Sequence, residues 1–92
     1  MGRFTDRVAI ITGAGAPEGI GAAAARQLVA EGARVVLGAT TQRIHDRAAE
    51  LGDAAVGVIA DLTVDGSAES LVDTALQRWG RLDIVVNNAG MT

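Results

Sequence analysis

Four short apolar runs, separated by longer stretches of mixed polarity, set the pattern of the chain. Residues 8–12, 34–38, 55–59 and 82–86 are largely apolar, without a clean alternation of apolar and polar positions. Runs of that kind are typical of strands that are buried on both faces of a parallel sheet. The pattern therefore predicts four parallel strands.

Helical periodicity occupies the segments between these runs. Residues 20–31, about 42–51 and 66–79 carry apolar positions three and four residues apart, which predicts three amphipathic helices. Each helix is expected to pack one apolar face on the sheet. The positions predicted for these faces are Ile20, Ala24 and Leu28 in the first helix, Ile44, Ala48 and Leu51 in the second, and Ala68, Leu71, Val72, Ala75, Leu76 and Trp79 in the third.

Glycine directly follows each predicted helix, at Gly32, Gly52 and Gly80. Glycine adopts the left-handed conformation that ends a helix at little steric cost, and Asp65 is a suitable N-cap for the third helix. A strand follows each of these stops, so strands and helices alternate along the chain. Right-handed crossovers then give an α/β fold, a parallel sheet with helices on both faces, in one domain covering residues 1–92.

A glycine-rich loop at residues 12–21 joins the first strand to the first helix. Parallel sheets bind ligands beyond the carboxyl ends of their strands, where the strand order reverses. A diphosphate bound there needs a closely approaching backbone, free N–H groups and the positive end of a helix. Gly13 and Gly15 fit the tight turn, and Gly19 and Gly21 fit the close approach and the helix packing. The alternative is a plain strand–helix turn, but four glycines within nine residues favour the diphosphate loop of a dinucleotide site.

Three further motifs accompany this loop: Asp61-Leu62 after the third strand, Arg81-Leu-Asp-Ile-Val-Val86 as the fourth strand, and Asn87-Asn-Ala-Gly90 after it. Together with the loop, they resemble the amino-terminal part of the short-chain dehydrogenase/reductase family, above all its bacterial 3-oxoacyl-(acyl-carrier-protein) reductases. The loop itself is two residues longer than the commonest family spacing. The resemblance implies a Rossmann-type sheet of order 3-2-1-4 and an NAD(P)-dependent oxidoreductase that reduces a carbonyl or 3-oxoacyl group by hydride transfer.

The resemblance also implies which residues contact the cofactor. The glycine loop would line the diphosphate, Asp61 and Leu62 would contact the adenine, residues 88–90 would flank the ribose groups, and Asn87 would join neighbouring strands. A polar turn that merely closes a strand is the alternative for residues 87–90, and the glycine loop disfavours it. The expected cofactor contacts are Gly13, Ala14, Gly15, Ala16, Gly19, Ile20, Thr40, Thr41, Asp61, Leu62, Asn88, Ala89 and Gly90.

The end of the second strand indicates which nicotinamide dinucleotide is bound. An acidic residue there would accept hydrogen bonds from the adenosine ribose of NAD and repel a 2′-phosphate. The alignment implied by the resemblance places Ala39 at that position, followed by Thr40, Thr41 and Arg43. Two hydroxyls, a helix amino end and a cation favour the phosphate of NADP. NAD remains the alternative, because the glycine loop lacks the basic residue of many NADP-using relatives, and Arg43 and Arg47 fit solvated helix positions equally well.

The residues that carry out hydride transfer in this family are not present in the 92 residues. The resemblance implies a Ser, an Asn, a Tyr and a Lys, all beyond the Asn-Asn-Ala-Gly motif, whereas this chain has no tyrosine and no lysine. We therefore expect no catalytic residue here: the chain would be the cofactor-binding portion, truncated before the catalytic segment and inactive alone. A small carbonyl or acyl substrate would bind only to a full-length protein. The alternatives are a non-catalytic dinucleotide-binding module that needs a partner, and an adenosylmethionine-binding domain of the methyltransferase type, which leaves residues 87–90 unexplained.

Charge and composition narrow the remaining classes of partner. The net charge is −3 and there is no cysteine, and no apolar run approaches the length of a membrane span. We expect a cytoplasmic protein without a metal site, a nucleic-acid partner or a membrane contact, with His45 at the surface. The fourth strand would leave an unpaired apolar edge, which predicts self-association.

Overall fold

The computed structural model describes residues 3–12, 19–60 and 66–87 of the chain. Within these ranges, four strands and three helices alternate as the sequence predicts, and a short 3-10 helix, Gly52–Ala54, precedes the third strand. The strands and helices are β1 Val8–Thr12, α1 Ile20–Ala30, β2 Arg34–Ala39, α2 Arg43–Leu51, β3 Ala55–Ile59, α3 Ser67–Trp79 and β4 Ile84–Asn87. No helix within the described ranges is both long and apolar enough to cross a membrane.

The four strands form one parallel sheet in the order β3-β2-β1-β4. This confirms the order 3-2-1-4 expected from the sequence. All five residues of β1, at the centre of the sheet, are buried. Parallel neighbours cannot be joined by tight hairpins, so each connection runs through a helix that covers one face of the sheet.

Alternate residues of the strands contact helices on opposite faces of the sheet. Ala9 and Ile11 of β1 belong to a buried cluster with residues of α1 and α2. Val8 and Ile10 belong to a second cluster with residues of α3. The sheet therefore lies between α1 and α2 on one side and α3 on the other, which confirms the prediction of helices on both faces.

The buried face of α1 is rotated from the predicted one. Ala22 and Ala25 are buried, whereas Ala24 and Leu28 are only half-buried. Short side chains at the centre of the contact let the helix backbone approach the sheet closely, and the larger Leu28 packs at the flank. In α2 the predicted face is confirmed, because Ile44 and Ala48 are buried and Leu51 is half-buried against the same cluster.

The predicted face of α3 is too wide. Leu71 and Ala75 are buried, and Val72 and Trp79 are half-buried against the same cluster. Ala68 is exposed, as is Leu76. Within the described residues α3 packs on β1 and β2, so the flank of the helix that carries Leu76 has no cover.

Glycines end the helices as predicted, but the N-cap of α3 was assigned wrongly. The backbone φ angles of Gly32, Gly52 and Gly80 are 96°, 70° and 74°, in the region that favours glycine. At the start of α3, the N-cap is Gly66 with φ 88° and not Asp65, because the chain enters the helix through a conformation that suits glycine. Asp65 itself lies outside the described residues.

Asp83 holds the amino end of β4 against β1. Its Oδ2 accepts a hydrogen bond from the backbone N–H of Val8 at 2.9 Å, and its own backbone N–H donates to the Val8 carbonyl at 2.9 Å. The Arg81 guanidinium donates from Nε to Oδ2 and from Nη2 to Oδ1, both at 2.8 Å, and Arg7 Nη1 lies 3.5 Å from Oδ1. Residues 81–83 thus form a charged link, and the strand begins at Ile84, two residues later than predicted.

Because of these contacts, we expect the stability of the fold to vary with pH in the acid range. The hydrogen bonds from Arg81, and then that from the Val8 N–H, lower the pKa of Asp83 from 3.8 to about 2. Since the carboxylate is favoured in the folded state, its contribution is complete above about pH 4 and is lost as the pH falls towards 2. We expect the free energy of unfolding to decrease over that interval, as measured by urea denaturation at each pH.

Two variants distinguish the contribution of Asp83 to this pH dependence from the contributions of other acidic groups. Between about pH 4 and 2, the free energy of unfolding should fall less steeply in Asp83→Asn, because the variant lacks this carboxylate. Asp73→Asn, on an exposed position of α3, should leave the slope of the parent chain in place. Arg81, Arg7 and Asp6 are the charged groups that act on this site, and all three are retained in both variants. An unchanged slope in Asp83→Asn would contradict the prediction.

Candidate functional site

The carboxyl ends of the four strands lie level with one another at one edge of the sheet. Thr12, the last residue of β1, pairs with Gly38 of β2 on one side and with Asn87 of β4 on the other. Gly38 in turn pairs with Val58 of β3, and the backbone N–H of Ala60 donates to the Ala39 carbonyl at 2.8 Å. The four segments predicted to bind the cofactor therefore leave the sheet from neighbouring strands at the same edge.

Most of the predicted contacts follow those strand ends directly and lie outside the described residues. The structure gives the points from which the segments leave the sheet, which are Thr12, Ala60 and Asn87. It describes four of the predicted residues, Gly19, Ile20, Thr40 and Thr41, and for Ile20 the backbone alone. The predicted contacts outside the described residues are Gly13, Ala14, Gly15, Ala16, Asp61, Leu62, Asn88, Ala89 and Gly90.

The amino end of α1 has the features of an anion-binding helix terminus. Gly19 is the N-cap in an extended conformation, and its carbonyl accepts the N–H of Ala23 at 3.1 Å. No side chain caps the helix and its first turn contains no acidic residue. The first N–H groups of a helix have no partner within it and carry the positive end of its dipole. Since Gly21 and Ala22 are buried, this terminus is held beside β1, where a phosphate could accept those N–H groups.

A second polar group lies at the end of β2. The strand ends at half-buried Ala39, and Thr40, Thr41 and Arg43 are all exposed. Helix α2 begins with Gln42 as N-cap, and no side chain caps it. Two hydroxyl groups, a helix amino end and a guanidinium therefore lie within four residues of the strand end, with no acidic side chain among them. This donor set suits a phosphate group, although it has one acidic neighbour, Asp46 in the first turn of α2.

One basic side chain of α2, that of Arg47, differs from the solvated position that the sequence allowed for it. Arg43 is exposed, but the Arg47 side chain is only 15% exposed, and its Nη2 forms an ion pair with Glu50 Oε2 at 3.0 Å. The Nε of Arg47 is buried without a hydrogen-bond partner. His45 is exposed, as predicted. Within the described ranges, no cluster of three or more His, Asp or Glu side chains could hold a metal ion.

The same strand–helix arrangement occurs in a known family of enzymes. The profile described as short chain dehydrogenase matches residues 7–92. The chain belongs to the short chain dehydrogenase family. The match confirms the family assignment made from the glycine loop and the Asn-Asn-Ala-Gly motif. This family binds nicotinamide dinucleotides.

Individual relatives are oxidoreductases that are much longer than this chain. It is 45% identical over 89 residues to an uncharacterized oxidoreductase of Mycobacterium bovis, covering 94% of this chain and 35% of that protein. It is 44% identical over 91 residues to the cis-4-hydroxycyclohexanecarboxylate dehydrogenase of Sinomonas cyclohexanicum, covering 96% and 36% of the two chains. The chain thus spans about a third of the length of these curated relatives.

A solved structure of similar sequence has the same fold. The 3-ketoacyl-(acyl-carrier-protein) reductase of Brucella melitensis, crystallised with NADH, matches with a TM-score of 0.83 and 35% identity. The match covers 89% of this chain and 34% of that one. The fold of the described residues is therefore that of a short chain dehydrogenase.

Proposed function

We propose that residues 1–92 form the dinucleotide-binding domain of an NADP-dependent short-chain reductase that acts on a carbonyl or 3-oxoacyl group. The observation that carries the proposal is the level alignment of four parallel strand ends, each followed by one of the predicted cofactor-binding segments. The uncapped amino end of α1 beside β1 supports it, because that terminus can donate to a diphosphate.

Each part of the cofactor has proposed contacts in the chain. Residues 13–16 together with Gly19 and Ile20 would bind the diphosphate. Thr40 and Thr41 would bind the 2′-phosphate, Asp61 and Leu62 the adenine, and residues 88–90 the ribose groups. When bound, the nicotinamide supplies the hydride, and the residues of this chain hold and orient it.

The preference for NADP is supported by the end of β2. Ala39 offers no carboxylate to repel a 2′-phosphate, and the exposed Thr40, Thr41 and Arg43 follow it. The solved relative from Brucella melitensis holds NADH, so the two cofactors have to be compared directly on this chain.

Calorimetric titration of the purified chain with NADP, NAD and adenosylmethionine tests the proposal. We expect NADP to bind at least about tenfold more tightly than NAD, since charge-assisted hydrogen bonds contribute about 1.5–3 kcal/mol each. The double variant Thr40→Val, Thr41→Val should reduce the affinity for NADP and leave that for NAD nearly unchanged. Binding of adenosylmethionine with no binding of either dinucleotide would contradict the proposal.

Turnover separates the reductase from a second candidate, a non-catalytic dinucleotide-binding module. Such a module would need no catalytic pair, and the 92 residues contain neither tyrosine nor lysine. We expect no NADPH-dependent ketone reduction by the chain alone, because it offers no Tyr–Lys pair to protonate the forming alkoxide. Oxidation of NADPH followed at 340 nm in the presence of ketones would contradict this expectation, and a downstream Tyr-x-x-x-Lys in the gene would support the reductase.

We also propose that the 92-residue chain associates with itself through β4. In the described residues β4 pairs only with β1, the strand has no charge or proline, and Val85 is 61% exposed. Unpaired apolar edges of this kind pair with other strands. Sedimentation velocity should show oligomers for the parent chain and monomers for Val85→Lys, whereas Asp73→Lys on exposed α3 should still associate. A monomeric parent chain would contradict the proposal.

A further inference from the structure

The apolar pattern of β4 does not determine its own register. A strand is normally fixed by which residues are apolar, because a shift of one position turns every side chain to the opposite face. Ile84, Val85 and Val86 are three consecutive β-branched residues, so a shift by one residue exchanges similar side chains. Within the described residues β4 has a neighbour on one side only, so within a single chain its register is set against β1 alone.

The register is nevertheless well defined in the structure. Ile84 pairs with Ala9, Val85 with Ile10, Val86 with Ile11 and Asn87 with Thr12. A contact outside the apolar run can select this pairing from the neighbouring registers, and the hydrogen bonds that join the described amino ends of β1 and β4 involve Asp83.

Asp83 can select the pairing because it forms hydrogen bonds with both backbone polar groups of one residue of β1. Its backbone N–H and its carboxylate bond the carbonyl and the N–H of the same residue, Val8, both at 2.9 Å. Arg81 donates two hydrogen bonds of 2.8 Å to the carboxylate and holds it in place, and the Asp83 side chain is only 17% exposed. A shift by one residue would break both bonds to Val8 together.

We propose that Asp83 is a positioning residue, which fixes the register of β4 on β1 and thereby sets where the chain leaves the sheet after Asn87. A shift of one residue would move that point by about 3.3 Å along the strand axis and turn the following residues to the other face. The consequence for cofactor binding rests on the proposed function, in which residues 88–90 contact the ribose groups. The register itself does not depend on that function.

Nuclear magnetic resonance of the labelled chain tests the register directly. In the parent, the backbone of Ile11 should show Overhauser contacts with Val86, its partner across the strands. In Asp83→Ala these contacts should weaken and contacts shifted by one residue should appear, with amide exchange in β4 faster by at least about tenfold, as expected for loss of hydrogen bonds to a charged group. Asp83→Asn keeps one acceptor for the Val8 N–H, and should show the same changes to a smaller extent if Asp83→Ala does not fold.

A control with a general loss of stability distinguishes positioning from a merely structural role. Gln77→Gly, at an exposed position of α3, lowers stability through helix propensity and should accelerate exchange in β2 and β4 equally. In Asp83→Ala the acceleration should be confined to β4 and the amino end of β1. Unchanged contacts between Ile11 and Val86, or equal acceleration in β2 and β4, would overturn the proposal.

Titration with NADP then tests the consequence at the other end of the strand. The dissociation constant of Asp83→Ala should rise by about tenfold, whereas that of Gln77→Gly should not change when both are measured under folding conditions. A shifted register with unchanged affinity would overturn the link to the cofactor. If the parent chain binds no dinucleotide, the proposed function fails, and the contacts of Ile11 still decide the role of Asp83.

Discussion

Replacing Gly57 by alanine is expected to lower the free energy of unfolding by about 2–3 kcal/mol. The added Cβ would lie 2.8 Å from the carbonyl oxygen of Ile44 and 3.1 Å from its carbonyl carbon, well inside the usual contact distance of about 3.5–4.0 Å. Both are backbone atoms in the first turn of α2. The clash can therefore be relieved only by moving the helix away from β3. Urea denaturation followed by the fluorescence of Trp79 measures the loss.

Gly38→Ala is the matched control, since Gly38 lies on the neighbouring strand and pairs with Val58, the residue after Gly57. Here the nearest atoms to an added Cβ are the Leu71 Cδ2 and Cδ1 atoms at 3.1 and 3.2 Å. They are the end of a side chain and can move by a few tenths of an ångström. We expect a loss of about 1 kcal/mol, at the lower end of the range for overpacked cores. A loss as large as that of Gly57→Ala would contradict the assignment of the effect to the α2 backbone.

The requirement at Gly57 also illustrates which parts of the fold the sequence could predict. Element order, parallel pairing and the carboxyl ends of the helices depend on local patterns, namely apolar runs and glycine after each helix, and these predictions are confirmed. The close approach of α2 to β3 depends on two different segments of the chain, so the local pattern around Gly57 predicts only a strand. The same limit explains the helix faces. Periodicity placed Leu76 on the face of α3, but how much of a face is covered depends on neighbouring elements.

In the candidate site too, the features that depend on local patterns were predictable, and those that depend on contacts between distant segments were not. The strand ends that precede the cofactor segments were predicted from the positions of the apolar runs, and the register brings Thr12, Gly38 and Asn87 level. Asp83 belongs to a motif that carries the family resemblance, and the motif alone predicts no separate role for its side chain. The signal was present as an acidic residue between Arg81 and a β-branched strand. Its meaning required the pairing with Val8, which no single-segment pattern shows.

Substituting aspartate for Ala39 is expected to reverse the cofactor preference proposed for the chain. Ala39 is the last residue of β2 and packs against the cluster shared by α1 and α2, so a carboxylate there would lie on the same side of the sheet as the amino end of α1. It would repel a 2′-phosphate and accept hydrogen bonds from the ribose hydroxyls of NAD. We expect the dissociation constant for NADP to rise by about a hundredfold and that for NAD to fall by about tenfold, because like charges in contact cost several kcal/mol and charged hydrogen bonds gain 1.5–3 kcal/mol.

Ala39→Asn is the control for this switch, because it has nearly the same shape and no charge. It should weaken NADP binding only slightly, and both variants should be compared with the parent at a temperature where urea denaturation shows each to be folded. High salt screens exposed charges, so the loss of NADP affinity in Ala39→Asp should shrink as salt is added, whereas any steric effect should persist. Equal weakening of NADP and NAD in Ala39→Asp and Ala39→Asn would mean that residue 39 does not face the adenosine ribose, and that the preference arises elsewhere in the chain.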